Sequence, residues 1–246
     1  MGACSGDDNT VTPTTTANYY PTTTGSYWVY EDHAIDTNGT QSTEVMSTDS
    51  TYAGGQKTVG DKVANEFMTR TVSEFGDTTT SSYSYSEDSQ IYSYINAAEF
   101  SPLGGEAASM WVKTADFKAT TEWTALTQEL PAIEVPAELT GGFAVSVTPK
   151  YTMKGKKGTM QAVTFEGKSM QAQEIISTTS VTLDKIKLSG FPTGQSVSFD
   201  VINKSYFVEN IGMVKSVTEP YSFSFPGIGT MKQEGNAQIL VRHSIK

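Results

Sequence analysis

The stretch TTSSYSYSEDSQIYSYINA, residues 79–97, alternates tyrosine with serine on both sides of an acidic turn. Successive side chains of a β-strand point to opposite faces of the sheet, so this alternation has the period of a strand. It places Tyr83 and Tyr85 on one face, and Tyr92 and Tyr94 on one face of the partner strand. We therefore predict an antiparallel hairpin with one aromatic face and one hydroxyl face.

The same period of two runs through most of the chain after residue 26. Asn38-Gly39 and Gly167-Lys168 predict hairpin turns, because these residues accept a positive φ. The run KGKKG, residues 154–158, predicts a third turn that carries its lysines at a solvated hairpin tip. This cluster has no interleaved aromatics, which disfavours a nucleic-acid patch.

About a dozen short strands separated by turn residues predict an all-β fold. The expected architecture is a large antiparallel meander that forms a curved or unclosed barrel, or a sandwich. At most one short helix is expected, near Ala107 or within residues 124–130. No change in composition marks a second folded unit, so residues 26–246 are interpreted as a single β domain.

The composition limits the classes of partner. The chain has 246 residues, a formal net charge of -10 at pH 7 and a pI of about 4.7. An acidic surface repels phosphate groups, so a nucleic-acid partner is disfavoured. Charge alone would also not hold the protein on an anionic membrane.

Cys4 is the only cysteine, which excludes an intramolecular disulfide. It lies in a stretch of Gly, Ser, Asp and Thr without apolar periodicity, and such a stretch offers no rigid scaffold for a nucleophile. The following run NTVTPTTTANYYPTTTGS cannot bury enough apolar area to offset its ordering entropy. We therefore interpret residues 1–25 as a tail and flexible tether, and an incidental cysteine in a frayed terminus is the alternative.

Several stretches resemble bacterial lipoproteins. Met1-Gly2-Ala3-Cys4 resembles the end of a lipobox, and Ser5-Gly6-Asp7-Asp8 resembles the acidic signal that follows the acylated cysteine in surface lipoproteins of the Bacteroidota. YYPTTTGSYWVYE, with its Gly-x-Trp-x-Tyr-like opening, and SYFVENIGMVKSV, with Ile-Gly-Met-Val-Lys, are similar to stretches of poorly characterised Bacteroidota and Chlorobi envelope lipoproteins. The resemblance implies a lipid anchor at Cys4, a location at the outer membrane with exposure at the cell surface, and a curved antiparallel sheet.

Two triplets resemble the O-glycosylation motif that Bacteroidota use in their periplasm. They are Asp49-Ser50-Thr51 and Asp77-Thr78-Thr79, so Ser50 and Thr78 are the candidate acceptors. Both triplets are expected next to turns, where a glycan would fit.

No pattern in the sequence indicates catalysis, a metal or a nucleotide cofactor. There is no Gly-x-Ser-x-Gly, Gly-x-Gly-x-x-Gly or Walker pattern. The only histidines are His33 and His243, whereas a zinc site needs three or four ligands. We therefore predict no catalytic residues, no metal site and no cofactor.

The aromatic residues of the first half are the remaining candidate site. Most are expected in the core, since Trp and Tyr commonly fill β-sheet cores. Alternatively, some line a concave sheet face that binds a glycan or a lipid. The candidate ligand-facing aromatics are Tyr83, Tyr85, Tyr92, Tyr94, Trp111 and Trp123.

The sequence favours two functions over an enzyme, which would require a cleft that holds His33 or His243 beside a carboxylate with a perturbed pKa. The first is a non-enzymatic, lipid-anchored envelope lipoprotein with a structural or protein-interaction role, as an accessory subunit of a larger assembly. The second is a glycan- or lipid-binding carrier module that uses an aromatic-lined concave sheet. Both make the membrane, reached through N-terminal acyl chains, a partner of the protein.

Overall fold

The computed structural model describes residues 17–96, 108–135, 142, 144–225 and 229–246. These residues form strands and no helix, so none of them belongs to a helix that could span a membrane. The strands are β1 (Tyr27–Ile35), β2 (Ser47–Val59), β3 (Lys62–Ser73), β4 (Gly76–Glu87), β5 (Gln90–Asn96), β6 (Ser109–Asp116), β7 (Trp123–Glu129), β8 (Ile133–Val135), β9 (Val145–Phe165), β10 (Lys168–Leu188), β11 (Phe191–Pro192), β12 (Val197–Val208), β13 (Gly212–Thr218), β14 (Tyr221–Phe225), β15 (Gly229–Gln233) and β16 (Gly235–Ser244).

Fourteen of the strands form one antiparallel sheet. Its order is β6-β5-β4-β3-β2-β1-β16-β13-β12-β10-β9-β7, with β8 beside β9 and β11 beside β10. The last long strand, β16, therefore lies between β1 and β13, which joins the two halves of the chain. The predicted all-β fold with a large, unclosed antiparallel barrel is confirmed.

The two ends of this sheet meet at a seam that side chains close. Val112 on β6 packs against Leu126 on β7 and Met153 on β9. Trp123 Nε1 donates a hydrogen bond to the carbonyl oxygen of Lys113 at 3.1 Å, and the Lys113 ammonium lies 5.3 Å from the centre of the Trp123 ring. No ladder of backbone pairs joins β6 to β7 among the described strands, so backbone hydrogen bonds do not close the barrel along this line.

The predicted hairpin of alternating tyrosine and serine is present as β4 and β5. Tyr83 pairs with Tyr94 and Tyr85 pairs with Tyr92 across β4 and β5. The connecting residues Asp88 and Ser89 have φ values of 51° and 68°. Asp is among the few residues that tolerate this left-handed conformation, which explains the tight two-residue turn.

The predicted turn at residues 154–158 is wrong. The strand β9 continues through these residues, and Gly155 pairs with Ser177 on β10. A Cβ atom at Gly155 would overlap the ring of Trp123, and one at Gly158 would overlap the carboxylate of Glu174. These glycines therefore allow close side-chain approach within a strand, a role that sequence alone does not separate from a turn.

The helix considered for residues 124–130 is also wrong, because β7 occupies residues 123–129. Exposed Thr124, Thr127 and Glu129 alternate with more buried residues on either side of an irregularity at Ala125, which is the period of a strand. Ala107, the other position considered for a helix, lies outside the described residues.

One end of the barrel interior is filled by apolar side chains. Phe223 of the β14–β15 hairpin stacks on Phe199 of β12, with ring centres 4.4 Å apart. Val181 and Leu183 of β10 are fully buried in the same cluster. This end of the barrel is therefore solid core.

Gly155→Ala tests the role of the seam. The added methyl group would displace the Trp123 ring, and overpacking of this kind costs about 1–3 kcal/mol of unfolding free energy. We expect thermal denaturation to give a Tm several degrees below that of the wild-type protein. Gly55→Ala is the matched control, since a Cβ there meets nothing within 4 Å. Equal Tm values for the two variants would contradict the proposed packing of the seam.

Candidate functional site

A cavity of about 550 Å³ lies inside the barrel. Its wall includes Thr114 on β6 and Met153 on β9, which belong to the two sides of the seam. The described lining residues are all uncharged. The volume falls within the range of about 300–1,000 Å³ that is usual for small-molecule sites.

Along β3, β5 and β10 the side chains lining the cavity change from apolar to polar. Inward-facing residues alternate along a strand, so the next inward residue lies about 7 Å further on. The apolar residues at one end of these strands cluster around Tyr20, which packs with Trp28 and Phe67. The sequences of lining residues, read from that end, are Phe67 and Thr69 on β3, Ile91 and Ser93 on β5, Ile175, Ser177 and Thr179 on β10, and Phe207, Ser205, Asn203 and Val201 on β12. Val201 and Met153 of β9 both pair with Thr179, so they add apolar surface to the polar part of the wall.

The polar atoms at the aromatic end are already used by the protein. Trp28 Nε1 donates to the carbonyl oxygen of Ile211 at 2.7 Å, and the Tyr30 hydroxyl donates to that of Met213 at 3.0 Å. The Tyr20 hydroxyl is hydrogen-bonded to the hydroxyl of Ser84. Burial raises the pKa of the Tyr20 and Tyr30 hydroxyls, so both remain protonated. The aromatic end therefore offers ring surface to a ligand.

The chain before β1 crosses this aromatic end. Tyr19 stacks on Phe117 with ring centres 4.4 Å apart, and the ring of Tyr20 lies 5.5 Å from that of Phe67. The backbone N–H of Asn210 donates to the carbonyl oxygen of Asn18 at 2.7 Å. Residues 18–20 are therefore packed on the barrel, although their polar surroundings in the sequence had placed them in the tether.

A belt of hydroxyl and amide side chains forms the polar part of the cavity. Thr51 and Thr69 share a hydrogen bond of 2.9 Å, and Ser93 and Thr114 share one of 3.2 Å. Asn203 Nδ2 donates to the hydroxyls of Ser216 and Thr218. Its Oδ1 accepts from the hydroxyls of Ser205 and Ser216.

Two acidic side chains lie beside Gln238 at the edge of this belt. Gln238 Nε2 donates to Asp49 Oδ2 at 3.0 Å, and Ser47 donates to Asp32 Oδ2 at 2.9 Å. Asp49 Oδ1 is buried and has no hydrogen-bond partner among the described residues. Burial raises the pKa of Asp32, and the nearby charge of Asp49 adds to the increase.

The structure places the predicted aromatic residues on the opposite face of the sheet. The lining residues Ser82, Ser84 and Ser93 alternate with the tyrosines of β4 and β5, so the tyrosines face outward. The expectation that these aromatics line the concave face is therefore corrected. The outward group contains Tyr83, Tyr85, Tyr92, Tyr94 and Trp111.

These outward aromatics form contacts with each other and with the β2–β3 hairpin. Tyr85 stacks on Tyr92 with ring centres 4.8 Å apart, and Trp111 packs 5.0 Å from Tyr85. Lys57 and Lys62 lie 5.5 Å from the rings of Tyr83 and Tyr85, respectively. Trp123, the remaining candidate, lies at the seam described above.

Ser50 lies inside β2, half-buried, and pairs with Val29 and Arg70. Its expected position next to a turn is wrong. Thr78 is exposed near the start of β4, two residues after Gly76. Glycosylation at Ser50 and Thr78 stays a prediction. Cys4 lies outside the described residues.

The two histidines lie in different environments. His33 is buried, and its Nδ1 is 3.0 Å from the carbonyl oxygen of Glu44. The ring of His243 packs 5.1 Å from that of Phe165. No group of three or more His, Cys, Asp or Glu side chains in the described part of the chain could hold a metal ion.

Sequence analysis missed the residues that form the cavity wall. Trp28, Asn203 and Gln238 carry no motif that marks them as a site. The serines of SYSYS were the available signal, because their regular spacing required one polar face. A face of serine hydroxyls in a sheet is usually solvent-exposed, whereas Ser82 and Ser84 line the cavity.

The pH dependence of stability tests the burial of Asp32. Because its pKa is raised in the folded state, the folded state binds more protons than the unfolded state above about pH 3.9, the ordinary aspartate pKa. Stability attributable to Asp32 therefore falls as the pH rises through the raised pKa. We expect Asp32→Asn to have a higher Tm than the wild type at pH 7, and the difference to vanish below about pH 3.9.

Asp36→Asn is the control with the opposite sign. The backbone N–H of Thr40 lowers the pKa of Asp36, so its contribution is present at neutral pH and is lost as the pH falls through that lowered pKa. We expect Asp36→Asn to lower the Tm at pH 7 and to approach the wild type in acid. A lower Tm for Asp32→Asn at pH 7 would contradict a raised Asp32 pKa.

No protein-family model and no curated protein matches this chain. Its fold is similar to the crystal structure of a candidate lipoprotein from Parabacteroides distasonis ATCC 8503, with 9% sequence identity and a TM-score of 0.50, over 93% of this chain and 99% of that chain. A candidate exported protein with a YmcC-like fold from Bacteroides fragilis NCTC 9343 aligns at 8% identity and a TM-score of 0.44, over 93% of this chain and 100% of that chain. The likeness to the Parabacteroides protein concerns the fold.

Proposed function

We propose that this protein is a lipid-anchored envelope lipoprotein whose barrel binds a small ligand. The observation that carries the proposal is the cavity of about 550 Å³ with an uncharged wall. A binding role fits this wall better than a catalytic one. General acid–base catalysis uses groups such as His, Asp, Glu or Lys, and the described lining contains none of them.

The choice of side chains along the strands supports a ligand compartment. Where the interior is solid, β10 and β12 carry Val181, Leu183 and Phe199. Two inward positions away, the same strands carry Ser177 and Asn203 at the cavity. Burying hydroxyl and amide groups costs free energy unless they find partners. The belt side chains hydrogen-bond one another, and their hydroxyls keep the capacity for a further hydrogen bond to a ligand or ordered water in the cavity.

The proposed location rests on the N-terminal sequence. Cys4, the acidic residues after it and the Thr-rich run that follows have the order of anchor, export signal and tether. Two or three acyl chains on one cysteine would hold the protein stably on a membrane, whereas a single chain holds it marginally. The fold shared with a candidate lipoprotein agrees with this location. Attachment to the outer membrane and exposure at the cell surface are parts of the proposal.

A protein-interaction role is the second candidate. The observation that favours it is the free edge of β9, whose residues 156–165 pair only with β10 among the described strands. A free edge can accept a strand from another chain. In that role the protein would act as an accessory subunit of an envelope assembly.

The binding proposal is tested with the neutral probe N-phenylnaphthylamine, whose fluorescence rises when it leaves water. We expect a saturable increase with one site per wild-type protein. Ser177→Phe would fill the cavity and reduce the affinity by about tenfold or more, since most of the ligand's buried area is lost. Thr178→Phe is the matched control, because residue 178 of the same strand faces outward.

Circular dichroism and Tm should first establish that both variants are folded. Equal binding by the wild type, Ser177→Phe and Thr178→Phe would show that the probe binds outside the cavity. That outcome, or the absence of saturable binding, would contradict the proposed function.

A further inference from the structure

We infer that the ligand is an uncharged amphiphile whose head carries hydroxyl donors and whose tail or ring lies against the aromatic end. This inference rests on the proposed function and names the class of ligand. It follows from the change from apolar to polar lining along β3, β5 and β10, from the side of Gln238 that is free to bind, and from the absence of charge on the described wall.

The aromatic end selects the apolar part of the ligand. Trp28, Tyr30 and Tyr20 all use their polar atoms on protein partners. A polar ligand group placed there would lose its hydrogen bonds to water without replacement. Apolar ligand atoms would instead gain contact with ring surfaces, which carry large apolar areas. The apolar part of the ligand therefore lies at this end.

Gln238 presents a hydrogen-bond acceptor to the other part of the ligand. An ionised carboxylate can only accept, so the contact with Asp49 Oδ2 fixes Nε2 of Gln238 as the donor. The amide oxygen, Oε1, is then the remaining polar atom. It has no partner among the described residues and is not fully buried, and Gln238 lines the cavity. A ligand hydroxyl donating to Oε1 would complete this amide.

The surroundings of Gln238 disfavour a charged head. Asp49 accepts a hydrogen bond from Gln238, and Asp32 lies opposite Gln238 in the sheet. Neither residue lines the cavity, but an anionic head would meet the repulsion of a nearby carboxylate. A cationic head would have no carboxylate at the wall to contact directly. Moving either charge into an uncharged cavity costs much more than moving a hydroxyl. The hydroxyls of the belt can both donate and accept, which suits a neutral polyhydroxylated head.

The inference is tested on wild-type protein with three probes that share a ten-carbon tail and differ in the head. They are monodecanoylglycerol, decanoate and decyltrimethylammonium, each titrated by calorimetry below its micelle-forming concentration. We expect monodecanoylglycerol to bind with one site per protein, and the two charged probes to bind at least about tenfold more weakly. Free glycerol should show no binding, because it lacks the apolar part.

A variant tests the role of Gln238. Gln238→Met keeps the length of the side chain and removes the acceptor, so we expect the affinity for monodecanoylglycerol to fall by about three- to tenfold. Gln171→Met is the matched control, since Gln171 is exposed on β10. Its affinity should equal that of the wild type. If Gln238→Met does not fold, the affinities of the wild-type protein for the three probes still decide whether the ligand is uncharged.

The outcomes separate this inference from the proposed function. Equal affinity for decanoate or decyltrimethylammonium would overturn the uncharged class. Failure of monodecanoylglycerol to bind would also overturn it, and the proposed function would stand if N-phenylnaphthylamine still bound in a manner sensitive to Ser177→Phe. Loss of binding of both neutral probes would overturn the two together.

Discussion

Two hydrogen bonds from the first strand to the β12–β13 hairpin organise the barrel. Trp28 and Tyr30 reach across β16 to the carbonyl oxygens of Ile211 and Met213, residues that lie 183 positions further along the chain. The indole nitrogen and the phenol oxygen are buried polar atoms that would be costly to leave unpaired. Their hydrogen bonds therefore fix how β1 lies relative to the β12–β13 hairpin. Trp28 and Tyr30 belong to one of the stretches that resemble envelope lipoproteins, and Ile211 and Met213 belong to the other. The same contacts remove polar atoms from one end of the cavity and so create its apolar end.

The fold was largely predictable because alternation is a local property. The SYSYS hairpin fixes its own pairing, and Tyr85 lies opposite Tyr92 as expected. The face that turns inward was not predictable, because alternation marks two faces without stating which one is enclosed. The usual assumption that the apolar face is buried led to the wrong face for Tyr83 and Trp111. The site itself depends on pairings between distant strands, such as Ser216 with Gln238, which no local pattern contains.

Glycine composition alone also does not separate a turn from a strand. Gly155 in KGKKG has the composition of a turn, yet it lies in a strand because the Trp123 ring occupies the space of a side chain. That contact brings β7 and β9 against β6 and closes the seam without backbone pairing. The barrel thus keeps its shape through side chains at the seam and through a solid apolar end. Between them remains a polar belt that contributes less to stability than a packed core would, and a binding role explains why it is present.

The most direct test of this account is native mass spectrometry of the protein purified from its own cells' membranes, beside Ser177→Phe purified in the same way. We expect both proteins to carry acyl chains on Cys4. Wild type should also carry one uncharged molecule that dissociates on unfolding, and Ser177→Phe should lack it. A mass difference that equals the Ser-to-Phe substitution alone, with no dissociable molecule on either protein, would contradict the claim that the barrel is a ligand compartment.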